Sequence, residues 1–430
     1  MNPNIAANQQ RLFLEFVAQL RPHVRRDSSL PRRIKELFAR HRAIGSRDRK
    51  LYRELVYTYL RFFPWIDPLL DLGSDCRVAA GRRTDPGPAT STGPTENLAA
   101  KVTAWLAPEL KPTSAYRATH AGDWPVVPET LAAKFEILRS QVSGFRSPPT
   151  DLLPAWFQEH CPAAFQSPHL DALNSRANVW VRIQANDRNL VLDEFKAQGW
   201  TFESPAGFPD ALCLPPNAEV AASDAYRRGF VEIQDLGSQL VLAHAPLPLS
   251  GRWLDACAGA GGKTLQLARL LGAAGHVDAT DIRVEILDEL DDRAKRARLD
   301  NITIVQKPGD LYDGILVDAP CSGSGTWRRQ PHLKWYVKPE TITAFTQTQL
   351  EILTANAPRV KAGGLLIYAT CSLSHHENQD VAAAFLKAHP NFTAEKPVQN
   401  HGGTFDGLGT SLLPGTLNTD GFYVAVLRRQ

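Results

Sequence analysis

Apolar residues recur at spacings of three and four through the first sixty positions: Leu12, Phe16 and Leu20, then Ile34, Leu37 and Phe38, then Leu51, Leu55, Val56, Tyr59 and Phe62. Each set falls on one face of a helix, which predicts helices over 10–20, 31–41 and 46–63. Pro31 suits a first helical position and Ser46 an N-cap. The stretch 73–97 turns to Gly, Pro, Ser and Thr and reads as a flexible loop. Helices are predicted again at 97–107 and 129–142, and 143–154 reads as a linker. From 154 to 235 both periods occur. A short helix at 155–160, a strand at Val179–Ile183, a helix at 190–198 closed by Gly199, and strands near 211–214 and 229–233 predict a small α+β module. From 236 on, short apolar runs alternate with helical patterns. Strands are expected at 253–254, 276–280, 302–305, 314–317, 365–369 and 422–427, with helices after the first of these, at 283–299 and at 340–360. Gly363 and Gly364 are expected to break the last helix. Such alternation predicts an α/β domain, a parallel sheet covered on both faces.

Composition bounds this picture more than it changes it. The 430 residues have room for about two to four domains, and 43% hydrophobic content supplies a core. No apolar run reaches the roughly 18 residues of a membrane span and no secretory signal is read, so a cytoplasmic protein without membrane attachment is expected. Cysteines stand at 76, 161, 213, 257, 321 and 371, with no Cys-x-x-Cys pair. That gives no support for a zinc site or a disulfide framework, and free thiols are expected. Net charge is +3, yet residues 1–61 carry 14 Lys and Arg against 5 Asp and Glu, or 14 − 5 = +9. A basic segment of this kind is the footprint of a nucleic-acid contact.

The chemistry gathers at the ends of the predicted strands. Asp255-Ala-Cys257-Ala258-Gly259-Ala260-Gly261-Gly262-Lys263 follows the first of them and opens a helix, and Asp281 ends the second. A glycine-rich strand-to-helix turn with a carboxylate on the next strand suits a nucleoside ligand, the carboxylate accepting the ribose hydroxyls. The pattern is neither Gly-x-Gly-x-x-Gly nor a P-loop. Asp318-Ala-Pro-Cys321 and Thr370-Cys371-Ser372 leave the ends of two later strands on the same side of the sheet. Two thiols and a carboxylate there suggest covalent catalysis. Carbon 5 of cytosine is too weak a nucleophile to accept a methyl group directly. A thiolate added at C6 makes it an enamine, an acid at N3 favours that addition, and a base must later remove the C5 proton.

Residues 232–427 resemble the Sun family of RNA cytosine-C5 methyltransferases. The matching pieces are Gln234 to Gln239, Asp255 to Thr264, Asp281, Asp318 to Gly323, Arg328-Arg329-Gln330-Pro331, Lys334-Trp335, Tyr368 to Ser372, Glu377-Asn378 and Asp420-Gly421-Phe422. Trp180–Trp200 is similar to the family's small RNA-contacting module, and 45–61 resembles the NusB-like helical RNA-binding domain. The resemblance implies three parts: an all-α NusB-like domain over 1–142, an α+β module over 154–235, and a Rossmann-like class I methyltransferase domain over 236–430. It implies S-adenosylmethionine as donor, wrapped by the backbone from Cys257 to Lys263, with Asp281 on its ribose and Asp318 near both its methionine end and the target base. It implies Cys371 as nucleophile and Cys321 for product release. Arg328, Arg329 and Lys334 are expected on RNA phosphates, no metal is expected, and the chain is expected to act as a monomer on ribosomal RNA.

Two departures stand out. Ala260 occupies the place of the family's usual proline, and no Asp follows the third strand, where Gln306 or Lys307 stands instead. The altered stretch after the third strand leaves as an alternative a non-catalytic RNA-binding or ribosome-assembly factor on the same fold, and the sequence does not settle ribosomal against transfer RNA as substrate. DNA cytosine-C5 methyltransferases use the Pro-Cys thiol as nucleophile, so the second thiol in Thr-Cys-Ser favours RNA.

Overall fold

The computed structural model describes residues 3–41, 44–72, 97–248 and 250–430. The expected loop at 73–97, apart from Asn97, and Cys76 lie outside the described residues. By its internal contacts the chain divides into two compact units. One comprises 1–156, 165–175 and 327–337, and the other 157–164, 176–326 and 338–430.

The first unit is helical. The helices Pro3–Leu20, Leu30–Arg40 and Ser46–Arg61 fall where the apolar spacing placed them and bury Phe13, Phe16, Leu37, Leu55 and Tyr59. Phe16 meets both Phe38 and Tyr52 edge-on or tilted, with ring centroids 5.2 Å apart. Asn97 caps Leu98–Leu106 by accepting the Ala100 N–H at 3.1 Å. A helix at Lys111–His120, unmarked in the sequence pattern, and Leu131–Gln141 follow. The stretch read as a linker is packed instead: Pro149–Leu152 forms a 3₁₀ turn and Phe145, Leu152 and Leu153 are buried. Prolines there shape a tight turn, and the leucines between them make it part of the core.

The second unit holds two sheets. Strands β1 (Val179–Ile183), β2 (Ala211–Leu214) and β3 (Val231–Ile233) form a small antiparallel sheet in the order β2-β1-β3, packed against the helix Asn189–Ala197. The large sheet contains β4 (Gly251–Asp255), β5 (Gly275–Ala279), β6 (Ile302–Ile304), β7 (Tyr312–Asp318), β8 (Val360–Thr370), β9 (Phe392–Ala394), β10 (Thr404–Phe405), β11 (Thr410–Leu412) and β12 (Phe422–Arg429). Its order is β10-β11-β12-β8-β7-β4-β5-β6, with β9 on β12. Strands β4 to β8 are parallel and β12 returns antiparallel to β8. This is the Rossmann-like sheet that the resemblance implies.

Period-two alternation decides what covers each face. Ile315, Val317, Leu366 and Tyr368 face the helices Pro339–Asn356 and Gln379–Ala388, while Leu316, Leu365, Ile367 and Ala369 face Leu236–Ala243 and Gly262–Leu271. Each leucine or isoleucine so buried contributes about 1.5–3 kcal/mol. The helix expected over 340–360 runs Pro339–Asn356 and closes with a 3₁₀ turn, Ala357–Arg359, whereas Gly363 and Gly364, expected to break it, lie within β8. The register to β7 slips beside them, between Tyr312 and Gly314, so these glycines serve a bulge in the strand. From β4 the chain runs outward through β5 and β6, then crosses back to β7 and β8. The switch point therefore lies between the carboxyl ends of β4 and β7, the place where such sheets bind ligands.

Candidate active site

The turn after β4 is built around two carboxylates. Asp255, at the end of β4, accepts the Thr264 hydroxyl at 2.7 Å, which ties the strand to the first turn of the helix Gly262–Leu271. Burial pushes its carboxyl up to about 7, against the opposing Thr264 hydrogen bond. Asp281, just after β5, accepts the Gly259 N–H at 2.8 Å and the Arg283 side chain at 3.0 and 3.1 Å. Burial raises the Asp281 carboxyl, but the Arg283 and Gly259 hydrogen bonds outweigh it and hold the group below its ordinary value. Gly261 takes φ +86°, and a Cβ there would stand 2.7 Å from Leu290 Cγ. Only glycine lets the backbone from Cys257 to Lys263 curl into an open cradle. Ala260, in the place of a proline, keeps that turn and its carbonyl accepts Arg293 at 2.6 Å.

Lys263 enters the cradle from the helix. It is buried, its Nζ lies 2.7 Å from Asp318 Oδ2, and it stands 5.1 Å above the Phe422 ring. Asp318 ends β7, so this pair joins the glycine turn to the strand end that leads to Cys321. Cys321 Sγ and Cys371 Sγ are 3.3 Å apart. The hydrogen bond to Cys371 and burial push the Cys321 thiol well up. Cys257 lies in the turn itself, where burial likewise raises its thiol. Cys161, Cys213, Cys257, Cys321 and Cys371 take part in no disulfide.

The two thiol loops share a buried framework that the sequence motifs did not assign. Gly325 N–H donates to Cys371 O at 2.9 Å, and a Cβ on Gly325 would collide with Gly421 O at 2.1 Å. Ser324 Oγ accepts the Leu373 N–H at 2.8 Å. Glu377, fully buried, accepts Ser322 N–H at 2.7 Å, Ser322 Oγ–H at 2.6 Å, Ser372 Oγ–H at 2.6 Å and Gln349 Nε2–H at 3.2 Å. Burial raises its carboxyl and the two serine hydrogen bonds oppose the rise. Glu377-Asn378, Thr264, Ser322 and Ser372 stood inside the quoted motifs without an assigned role, whereas Arg283, Ser324 and Gln349 had no signal of their own. His375 and His376 both reach Asp380, and the three offer ligand atoms within 4.8 Å of one another. Among the described residues this is the group that could hold a metal ion, and it lies on the exposed side of the Cys371 loop.

Two expected RNA contacts are not on the surface. Segment 327–337 belongs to the helical unit, where Arg328 and Lys334 are buried and Arg329 is exposed. Lys334 Nζ donates to Arg61 O at 2.9 Å and Asn174 Oδ1 at 2.6 Å, and Trp335 Nε1 donates to Leu60 O at 2.7 Å. The helix Ser46–Arg61 ends with orphan carbonyls, and Lys334 and Trp335 satisfy them. Arg328 donates to Ser175 Oγ at 3.1 Å, and its carbonyl accepts Arg61 at 3.1 Å. Arg61 is itself buried, while Arg47, Arg49 and Arg53 on the same helix stay exposed.

Residues 245–428 match the family described as 16S rRNA methyltransferase RsmB/F. Ribosomal RNA small subunit methyltransferase B of Enterobacter sp. (strain 638) is 34% identical over 295 residues, 65% of this chain and 67% of that protein. The probable ribosomal RNA small subunit methyltransferase B of Bacillus subtilis (strain 168) is 36% identical over 259 residues, 57% of this chain and 58% of that one. The chain thus spans about three fifths to two thirds of the length of these relatives. Among solved structures, PH0851 aligns over 100% of this chain and 99% of its own at TM-score 0.69 and 20% identity. NSun6 from Pyrococcus horikoshii with SFG aligns over 64% and 96% at TM-score 0.58 and 18% identity. These two share the fold.

Proposed function

From the premise that this chain belongs to the 16S rRNA methyltransferase RsmB/F family, we propose that it methylates carbon 5 of a cytosine in ribosomal RNA through a covalent Cys371–C6 adduct. The family depends on S-adenosylmethionine, and the turn fits it: a glycine cradle opens at the switch point, with Asp281 at the end of the neighbouring strand. In this reading the backbone from Cys257 to Lys263 and the Asp281 carboxylate hold the cofactor. When bound, it supplies an electrophilic methyl group beside Asp318.

One observation carries the reading: two thiols 3.3 Å apart, at the carboxyl ends of adjacent parallel strands, beside a lysine-held aspartate. Cys371 adds to C6 as the thiolate. Cys321, whose thiol keeps its proton to high pH, can donate a hydrogen bond to that thiolate. Asp318, oriented by Lys263, favours addition when its carboxyl carries a proton and donates it in a hydrogen bond to N3 of the base. After methyl transfer to C5, a solvent water takes the C5 proton, the C5–H electron pair re-forms the C5–C6 double bond, and Cys371 leaves C6 as its thiolate, with the Cys321 thiol donating a hydrogen bond to it. The cytosine must be unpaired or flipped out to reach the thiols. The exposed arginines of the helical unit, with Arg329, supply phosphate contacts. The protein acts in the cytoplasm, as a monomer.

The test is a pair of thiol substitutions. Cys371→Ala abolishes methylation of unmodified small-subunit ribosomal RNA, and Cys321→Ala accumulates a protein–RNA adduct that survives denaturation. Full turnover by Cys371→Ala would overturn the reading. Bisulfite sequencing of RNA from cells with and without the gene identifies the nucleotide, and loss of a site in transfer RNA instead would reassign the substrate.

A further inference from the structure

Glu377 has no part in the chemistry just described, yet it is fully buried and its carboxylate meets four donors. Those donors are not scattered. Ser322 follows Cys321 and Ser372 follows Cys371, so one carboxylate grips the residue after each thiol. The two loops do not depend on it equally. The Cys371 loop has further ties of its own: Asn378 Nδ2 donates to Ser372 O at 3.0 Å, and Thr370 Oγ1 donates to Asn378 Oδ1 at 2.6 Å. In the Cys321 loop, both the N–H and the hydroxyl of Ser322 go to Glu377. Gln349, which also reaches Glu377, holds the Pro320 carbonyl at 2.9 Å.

Resting on the methyl-transfer reading above, we propose that Glu377 is a positioning residue that keeps Cys321 in register with Cys371, and so governs release of the methylated product rather than attack on the base. A carboxylate suits this task because it only accepts, and every group around it donates. Shortening or removing it frees Ser322 first, and Cys321 moves with Ser322. Cys371 keeps its own anchors and still attacks. The adduct then forms but is not resolved.

The experiment compares the full chain with Cys321→Ala, Glu377→Ala, Glu377→Asp and Glu377→Gln, using unmodified small-subunit ribosomal RNA and S-adenosylmethionine. Multiple-turnover methylation by Glu377→Ala falls about 10²-fold, the scale of a 1 Å misplacement. A denaturation-resistant protein–RNA adduct accumulates, as with Cys321→Ala, while calorimetric affinity for S-adenosylmethionine is unchanged. Glu377→Asp keeps the charge but is one methylene short, and gives the same adduct should Glu377→Ala fail to fold. Glu377→Gln restores turnover, because its amide oxygen accepts the Ser322 N–H and the serine hydroxyls can rotate to accept from its NH₂. A fold merely weakened by the loss would lower every step and leave no adduct. Adduct from Cys321→Ala but none from the folded Glu377 variants overturns this inference alone. No adduct from Cys321→Ala overturns the release role of Cys321, and this inference with it.

Discussion

Lysine 334 offers the sharpest test of whether segment 327–337 is scaffold or RNA contact. Its ammonium is fully buried and donates to Arg61 O and Asn174 Oδ1. In Lys334→Met the side chain keeps most of its volume but leaves both acceptors unpaired, at about 1–3 kcal/mol each. Removing the ammonium also relieves a desolvation cost of several kcal/mol, so the net loss is about 1–3 kcal/mol. That lowers the melting temperature by about 3–10 °C. The pH dependence carries a second signature. Burial, and then the charge of Arg61, hold the Lys334 pKa well below its ordinary value. Below the unfolded value of about 10.4, the unfolded chain therefore binds more protons than the folded one. Stability attributable to this lysine rises with pH across that window and is complete above it. The difference between wild type and Lys334→Met should follow that rise in thermal denaturation. RNA affinity measured over a salt series should keep its slope. A slope smaller by about 1, with an unchanged melting temperature, would mean that Lys334 neutralises a phosphate, and the structural account would be wrong.

Asp281→Ala removes the acceptor of the Gly259 N–H and of Arg283 and, on the proposed reading, the ribose contact. Its dissociation constant for S-adenosylmethionine should rise about 10–100-fold by calorimetry, and an unchanged constant would exclude a cofactor role. Asp255 is held at about 7 by burial, against about 3.9 in an unfolded chain. Between these values the folded state binds the extra proton, so stability from this group is present at low pH and is lost as pH rises through 7. Urea midpoints of wild type and Asp255→Asn, compared at about pH 4.5 and pH 7.5, should converge or cross accordingly; a pH-independent difference would refute the shift.

How far the chain could be read depended on the range of the interaction. Helices whose apolar stripes repeat, such as Ser46–Arg61, and strands whose apolar runs end in a motif, such as Tyr312–Asp318, were visible because local spacing specifies them. Gly363 and Gly364 misled because glycine marks a helix stop and a strand bulge alike; the parallel register of β7 on β8, as in Gly314 beside Leu365, joins residues far apart in the chain and decides between them. The stretch 143–154 misled for a related reason. Its prolines signal a break in regular structure, but only the helices it packs on determine that Leu152 and Leu153 are buried.

The site divides along the same line. Asp255, Asp281, Asp318, Cys321 and Cys371 could be found because each ends a strand or closely follows one, and parallel strands deliver their ends to one edge. What the sequence could not show is the geometry among those ends. Lys263 lies 55 positions from Asp318, and Glu377 lies 55 from Ser322, yet each closes a hydrogen bond of 2.7 Å. Arg328 and Lys334 show the converse. Basic residues just beyond a catalytic motif suggest phosphate contacts, but charge along a chain carries no sign of direction. Here a helix end with unsatisfied carbonyls takes the lysine. Proximity in sequence to a reactive thiol is therefore weaker grounds for a functional role than shared membership of a strand end, and Glu377, six positions past Cys371 and bonded to both loops, meets the stricter criterion.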